Sequence, residues 1–340
     1  MIRLTQFSKG AGCGCKIAPG ILEQILHGGE SMEDKNLLVG YGSRDDAAVY
    51  DTGNGDAIIS TTDFFLPIVD DPFDFGRVSA TNAISDVYAM GGKPVMALAI
   101  LGWPVEKIDP LVAREVMNGA RSVCNKAGFP LAGGHSIDSA EPIFGLSVTG
   151  LIKKTNIKRN DTVKEGDLLY LTKPLGTGVF STALKRGLLK EGDYEKLLEV
   201  MCALNTAGYR LGSMPGVHAM TDVTGFGLAG HLLEMVGKNT CSAEIELNAL
   251  PLIEGLKFYT DQFIFPDNTT RNYNACKDKI SGMDGTEFIL LCDPQTSGGL
   301  LISLDPEAEQ EFLQVMKEEE VQAVRIGRMA EKGGKSLSFI

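Results

Sequence analysis

The spacing of apolar and polar positions divides the chain into short strands and helices. Residues 46–51 and 56–63 are strand-like and flank a glycine-rich turn at 52–55, which predicts a β-hairpin. The rest of the first half is predicted to contain helices at 71–90 and 109–127 and strands at 95–101, near 131 and at 144–152. This pattern describes a β-rich α/β unit.

The second half repeats the mixture of strands and helices. Polar, unpatterned sequence near 156–166 predicts a domain boundary, and 340 residues are many for a single core. The elements expected after it are a strand at 168–172, a glycine-rich loop at 173–178, a helix to about 186, helical sequence through 211, and an amphipathic helix at 306–320. Residues 293–299 are predicted to join two apolar strands. Two α/β domains are therefore expected.

Composition narrows the function classes. A net charge of -12 opposes a nucleic-acid backbone, so we expect no nucleic-acid partner. No apolar run approaches the roughly 20 residues of a spanning helix, which predicts a cytoplasmic protein with no membrane partner. The seven cysteines form no disulfide or zinc-site pattern and are expected to be reduced.

The N-terminal region contains candidate thiol chemistry. Cys13 and Cys15 lie in a glycine-rich segment beside Lys16, whose ammonium group favours a thiolate. We interpret this segment as a mobile nucleophile that acts on a bound partner. A disordered leader with two accidental cysteines is the alternative.

The hairpin predicts a cluster of carboxylates. Pairing Asp51 with Asp56 would place Asp46 opposite Thr61 and bring the acidic residues 45, 46 and 63 to the open end of the hairpin. Taken singly, each aspartate is better explained as a solvated strand end or turn residue. Jointly, they favour a Mg²⁺ site, because hard oxygen ligands bind Mg²⁺ alongside phosphates.

Other segments offer phosphate contacts or further carboxylates. Asn82 and Asp86 are four apart and share one helix face. Asp222 precedes a glycine pattern at 225–230 that matches a dinucleotide fingerprint weakly, and we interpret it instead as a carboxylate loop beside a helix N-terminus. Residues 133–136 follow a predicted strand and could contact phosphate or form a simple turn. Arg44 either neutralises a phosphate or pairs with a carboxylate.

Seven motifs in order resemble those of the selenophosphate synthetases, also called selenide, water dikinases. They are residues 10–16, 44–49, 61–63, 80–86, 131–138, 220–227 and 292–299. The resemblance covers essentially the whole chain. It implies a two-domain α/β (α+β) fold like that of aminoimidazole ribonucleotide synthetase, with an N-terminal β-rich domain that forms a barrel across a homodimer.

The resemblance also assigns domains and site residues. It implies a catalytic N-terminal segment at 1–40, an ATP-binding and dimerisation domain at 41–156 and a C-terminal α/β domain at 157–340. The implied catalytic residues are Cys13 and Lys16, and the implied ligands of Mg²⁺ are Asp46, Asp86 and Asp222. The implied ATP-binding residues are Lys16, Ser43, Arg44, Asp45, Asp63, Asp86, Gly134, His135 and Ser136. Residues 134–136 are expected to reach the nucleotide of the partner subunit.

The activity implied by the family is conversion of selenide, ATP and water to selenophosphate, AMP and phosphate. Magnesium, ATP, selenide and a selenium-delivery protein are the corresponding cofactor and partners. Charge concentrated by successive phosphoryl transfers would be stabilised by positioned cations. Two alternatives stay open: another ATP-dependent phosphoryl-transfer enzyme of the same superfamily, and a non-catalytic thiol-based carrier of selenium or metal.

Overall fold

The computed structural model describes residues 2–8, 24–25, 34–40, 45–237, 241–283 and 285–340. Within them the chain has a mixed α/β (α+β) fold built on two sheets, of six and seven strands. Each sheet belongs to one half of the chain. The α/β (α+β) class expected from the sequence is confirmed.

The first half forms the six-stranded sheet and two long helices. Its elements are β1 (Leu37–Val39), β2 (Ala48–Asp51), β3 (Asp56–Phe65), α1 (Pro72–Ala89), β4 (Lys93–Trp103), α2 (Pro110–Lys126), β5 (Leu131–Asp138) and β6 (Ile143–Lys153). The strand order is β1-β2-β3-β6-β4-β5, and only the β4–β5 pair is parallel. Strand β5 therefore lies at an edge, three positions from β3.

The predicted hairpin forms, but its predicted register is wrong by one residue. Asp51 pairs with Ala57, not Asp56. The loop is one residue shorter than expected, because Thr52 N donates to Asp56 O at 3.1 Å and closes the ladder around residues 53–55. Gly53 and Gly55, at φ of 86° and 92°, supply the left-handed backbone that this three-residue loop needs.

Helix α1 is buried along most of its length. Asp71 caps its start by accepting a hydrogen bond from Asp74 N at 2.9 Å, and Pro72 occupies its first turn, as the sequence predicts. A side chain at Gly76 would place its Cβ 1.9 Å from the Val116 carbonyl oxygen. The backbones of α1 and α2 therefore meet closely where glycine permits it.

The second half forms the seven-stranded sheet, ordered β10-β13-β9-β12-β7-β11-β8. Its strands are β7 (Leu168–Leu171), β8 (Val217–Asp222), β9 (Cys241–Ile245), β10 (Ile280–Ser281), β11 (Leu300–Leu304), β12 (Val324–Glu331) and β13 (Leu337–Phe339). Its helices are α3 (Thr177–Lys185), α4 (Asp193–Met201), α5 (Ala207–Gly212), α6 (Gly227–Val236), α7 (Leu256–Thr260), α8 (Asp267–Cys276), α9 (Glu287–Leu291) and α10 (Glu309–Glu318).

Two local predictions are wrong. Residues 293–299 connect helix α9 to strand β11 rather than two strands, because a short apolar run such as 288–291 fits either state. Residues 133–136 lie inside β5 rather than in a turn after a strand. The sequence also predicts a short helix at 19–27, but only residues 24–25 of that range are among the described residues. No helix in the described part of the chain is long and apolar enough to span a membrane.

The end of α1 joins the two halves of the chain. A Cβ at Gly208 of α5 would lie 2.3 Å from Tyr88 O, and one at Gly212 would lie 2.5 Å from Gly91 O. The second half therefore packs directly on the end of α1. This contact brings the edge strand β8 beside the face of α1 that carries Asp86.

Candidate functional site

Three elements bring Asp46, Asp86 and Asp222 together. Asp46 lies two residues before β2, Asp86 lies on α1, and Asp222 is the last residue of β8. The carboxylates of Asp222 and Asp86 both raise the pKa of Asp46, which reflects their proximity. The structure therefore unites the three residues that the resemblance assigned to a metal.

Each carboxylate is held by a neighbouring hydroxyl group. Thr221 Oγ1 donates to Asp46 Oδ1 at 2.7 Å, and Thr61 Oγ1 donates to Asp86 Oδ2 at 2.5 Å. Ser85 Oγ donates to Asp222 Oδ2. These contacts orient the carboxylates without neutralising their charge.

The electrostatics of the cluster are unfavourable without a cation. Burial, followed by repulsion from Asp222 and Asp86, raises the pKa of Asp46 well above its usual range. Asp46 Oδ2 is buried and has no hydrogen-bond partner among the described residues. Crowded buried carboxylate oxygens of this kind fit a hard cation such as Mg²⁺. As the described side chains stand, however, no three His, Cys, Asp or Glu residues form a ready-made cage.

Asp63 lies on the side of the first sheet that faces α1, as Asp86 does. Asn82 Nδ2 donates to Asp63 Oδ2 at 2.5 Å, and Asn82 Oδ1 accepts from Ser297 N at 2.8 Å. Asn82 and Asp86 do share one face of α1, as their spacing predicts. The contact of Asn82 with the second half has no counterpart in any local sequence pattern.

Asp45 turns toward the link between the two halves. Its Oδ1 accepts from Asn160 N at 2.8 Å, and Arg159 Nε lies 3.7 Å from its Oδ2. The side chain is almost fully buried. The structure therefore joins Asp45 to the segment that follows β6, next to Asp46.

Gly134, His135 and Ser136 lie away from this cluster within one chain. They belong to the exposed edge strand β5, where a Cβ on Gly134 would lie 2.2 Å from Ala99 O. Across the sheet, His135 pairs with Ile100 of β4, Ile100 pairs with Gly145 of β6, and Gly145 pairs with Phe64 of β3. His135 and Phe64 are therefore three strand spacings, about 14 Å, apart. The structure does not bring these residues together with Asp63 or Asp86 in the same chain.

The loop at 293–299 packs against the site from the second half. Lys173 Nζ donates to Ser297 O at 2.8 Å and to Ala203 O at 2.6 Å. Burial lowers the pKa of Lys173 to about 7, although Asp222 opposes this shift. Lys173 is therefore a buried amine beside the carboxylate cluster.

Several site residues escape sequence reasoning, and several predicted ones cannot be placed. No local pattern predicts the hydrogen bonds that Ser85, Thr221, Asn205 and Lys173 make at the site, because these bonds join residues more than 100 positions apart. The predicted residues Cys13, Lys16, Ser43 and Arg44 lie outside the described residues.

Family models match both halves of the chain. The N-terminal domain model of AIR synthase related protein matches residues 44–152, and the corresponding C-terminal domain model matches residues 164–340. Apart from strand β1 and the last residue of β6, the matched regions contain both sheets, which supports the AIR synthase-like fold.

Curated relatives match over nearly the full length. Selenide, water dikinase of Aeromonas hydrophila is 54% identical over 99% of this chain and 98% of that protein. The selenide, water dikinase of Pseudomonas aeruginosa is 54% identical over 100% of this chain and 99% of its own. The selenide, water dikinase of Escherichia coli O157:H7 is 53% identical over 99% of this chain and 97% of that protein.

Solved structures share the fold at low identity. Thiamine monophosphate kinase from Aquifex aeolicus matches with a TM-score of 0.68 at 17% identity, over 94% of each chain. Hydrogenase maturation protein HypE in complex with ATP matches with a TM-score of 0.64 at 18% identity, over 90% of this chain and 87% of that one. These likenesses concern the fold alone.

Proposed function

The chain belongs to the selenide, water dikinase family, and we propose that Asp46, Asp86 and Asp222 hold the Mg²⁺ that its reaction uses. The reaction is ATP-dependent synthesis of selenophosphate from selenide and water, with release of AMP and phosphate. Near-full-length identity above 50% to several selenide, water dikinases carries this conclusion. We further propose that the protein acts in the cytoplasm.

The contacts of the carboxylates support the metal assignment. Asp46, Asp86 and Asp222 each keep a fixed orientation through one hydroxyl donor, and the Oδ2 atom of Asp46, which no described residue contacts by a hydrogen bond, is available to a cation. Magnesium bound there would neutralise the phosphate charge of ATP. Since the described residues form no cage without the nucleotide, substrate phosphates and water would complete the coordination.

The nucleotide site combines residues of both subunits. We propose that Asp45, Asp63 and Asp86 contact the metal-bound nucleotide from one subunit, while residues 134–136 reach it from the partner. Ser43, Arg44 and Lys16 are proposed to neutralise the phosphates. Lys16 and Cys13 are the proposed catalytic pair, with the thiol handling selenium before transfer. Cys13→Ser should then abolish selenide-dependent turnover and leave nucleotide binding largely intact.

An exposed face of the first sheet supports a homodimer. Helices α1 and α2 cover one face, whereas the other presents apolar side chains to solvent. The exposed side chains are Ile58, Phe64, Met96, Leu98, Ile137 and Leu151. The strand registers place them on the same face as His135. Exposed apolar area on this scale is typical of an interaction surface. A second copy seated there would complete a barrel and carry His135 toward the partner's site.

The metal assignment is tested by charge removal at constant size. Asp46→Asn, Asp86→Asn and Asp222→Asn should each weaken Mg²⁺-dependent binding of a non-hydrolysable ATP analogue by about 10-fold or more. Calorimetric titration at several Mg²⁺ concentrations measures the effect. Asp56→Asn, an exposed change at the far end of the hairpin, is the matched control. Binding by Asp222→Asn equal to that of the wild type would contradict the proposed site.

The shared site is tested by mixing two inactive variants. Cys13→Ser and His135→Ala chains should recover part of the activity when mixed, because one site of a mixed dimer would draw both segments from intact chains. Subunit exchange is confirmed separately with tagged chains. Recovery no greater than the unmixed controls, after confirmed exchange, would favour a site built within one chain.

A further inference from the structure

The turn at residues 296–299 packs directly against the end of β8. A Cβ at Gly298 would lie 1.9 Å from Val223 O, so the two backbones touch. Val223 N donates to Gly299 O at 2.9 Å. Because Val223 directly follows Asp222, the Gly298 carbonyl has a fixed position relative to Asp222.

Asn205 binds that carbonyl with its amide group. Its Nδ2 donates to Gly298 O at 2.9 Å and to Ser85 Oγ at 2.8 Å. A backbone carbonyl only accepts, so the Asn205 atom that faces Gly298 must be the NH₂ group. Both protons of that group are then used, one on Gly298 and one on Ser85.

The orientation of Asn205 dictates that of Ser85. A serine hydroxyl has one proton, and its oxygen already accepts from Asn205, so the proton is directed at the Asp222 carboxylate. We propose that Asn205 is a positioning residue that acts through Ser85 to hold the Asp222 carboxylate in the metal site. This inference rests on the proposed function, since Asp222 is a metal ligand only there.

The same turn orients a second carboxylate by the same logic. Ser297 N only donates, so the Asn82 atom that faces it is Oδ1, and the Asn82 amide protons face Asp63. Ser297 itself has a φ of 53°, which a residue other than glycine rarely adopts. Lys173 Nζ donates a hydrogen bond to the Ser297 carbonyl oxygen at 2.8 Å. One turn of the second half therefore sets the donor direction of two polar residues on α1.

The test measures metal binding directly. Mn²⁺ is titrated in the presence of a non-hydrolysable ATP analogue, and free Mn²⁺ is followed by electron paramagnetic resonance. Ser85→Ala and Asn205→Ala should each raise the dissociation constant of Mn²⁺ by about 10-fold. The double variant should be no weaker than Ser85→Ala alone, because Asn205 acts through Ser85. Ser85→Thr, which keeps a hydroxyl group, should restore most of the affinity.

A control on the same helix separates positioning from packing. Ser79 is also buried on α1, but its hydroxyl donates to Phe75 O at 2.8 Å, within the helix. Ser79→Ala should leave Mn²⁺ affinity unchanged. Asn205→Asp keeps the size but replaces the donor with an acceptor, and should weaken binding at least as much as Asn205→Ala. Circular dichroism confirms that each variant is folded.

Two outcomes overturn the inference in different ways. If Asp222→Asn weakens Mn²⁺ binding while folded Ser85 and Asn205 variants bind as the wild type does, the positioning role alone is wrong. The positioning role is also wrong if the losses of the two single variants multiply in the double variant. If Asp222→Asn binds Mn²⁺ like the wild type, both the proposed metal site and the positioning role are wrong.

Discussion

Replacing Asp293 by asparagine should change how stability depends on pH. Asp293 is fully buried between α9 and β11. Its Oδ2 accepts from Gly178 N at 3.1 Å and from Gln295 Nε2 at 2.8 Å, at the start of α3. Its Oδ1 has no hydrogen-bond partner among the described residues. Burial outweighs these donors and raises the pKa of Asp293 to about 7.

The direction and size of the effect follow from this shift. Because the pKa of Asp293 is raised from 3.8 on folding, the folded state binds more protons than the unfolded state between about pH 4 and 7. Stability from this group is therefore present at low pH and is lost as pH rises through about 7. At about 1.4 kcal/mol per pKa unit, roughly three units correspond to about 4 kcal/mol in full. About 2 to 3 kcal/mol of this falls between pH 5 and 8.

The assay compares the wild type with Asp293→Asn, which cannot titrate. Urea unfolding followed by circular dichroism at pH 5, 6, 7 and 8 gives the free energy of unfolding of each protein. The free energy of unfolding of the wild type minus that of the variant should fall by about 2 to 3 kcal/mol from pH 5 to pH 8. The contributions of the other titrating groups are the same in both proteins and cancel in this difference. A difference that stays constant or rises with pH would show that the N–H donors at α3 balance or outweigh burial, which would refute the reasoning.

Three further predictions concern packing and assembly. Gly76→Ala should destabilise the protein by about 1 to 3 kcal/mol in thermal unfolding, because the new Cβ would lie 1.9 Å from Val116 O. As a control, Gly334→Ala should change the stability by less than about 0.5 kcal/mol, because its Cβ would meet nothing within 4 Å. Lys158→Met should cost about 1 to 3 kcal/mol in urea unfolding, because two buried carbonyls lose the amine that donates to them at 2.8 and 2.9 Å. Leu98→Glu should shift the protein from dimer to monomer in light scattering, since its side chain is 43% exposed on the apolar sheet face. Equal losses at Gly76 and Gly334, an unchanged Lys158 variant, or a dimeric Leu98 variant would each contradict its prediction.

Local signals predict much of the fold. The Asp71 cap and Pro72 mark the start of α1, and the four-residue spacing of Asn82 and Asp86 places both on one face. The glycine-rich turn predicts the hairpin but not its register, because the closing pair depends on loop geometry. Helix α9 resembles a strand in sequence because four apolar residues have no distinguishing period.

The contacts around the site are less predictable. The family resemblance selects Asp46, Asp86 and Asp222 as candidate metal ligands, and the structure brings these three side chains together. Asn205 and Lys173 lie on irregular segments, and their partners are distant in sequence: 120 residues separate Asn205 from Ser85 and 124 separate Lys173 from Ser297. A hydrogen bond between two such segments depends on how the halves of the chain pack. Neither hydrophobic periodicity nor helix-capping rules predict such a hydrogen bond.

Phosphorus NMR of the reaction tests the central claim most directly. The purified protein is incubated with ATP, Mg²⁺ and selenide under reducing conditions, beside the Asp222→Asn variant and a reaction without selenide. The wild type should form AMP, phosphate and a product with phosphorus coupled to selenium, and Asp222→Asn should lose most of this activity. ADP as the sole nucleotide product, or no turnover by the folded wild type, would contradict the assignment.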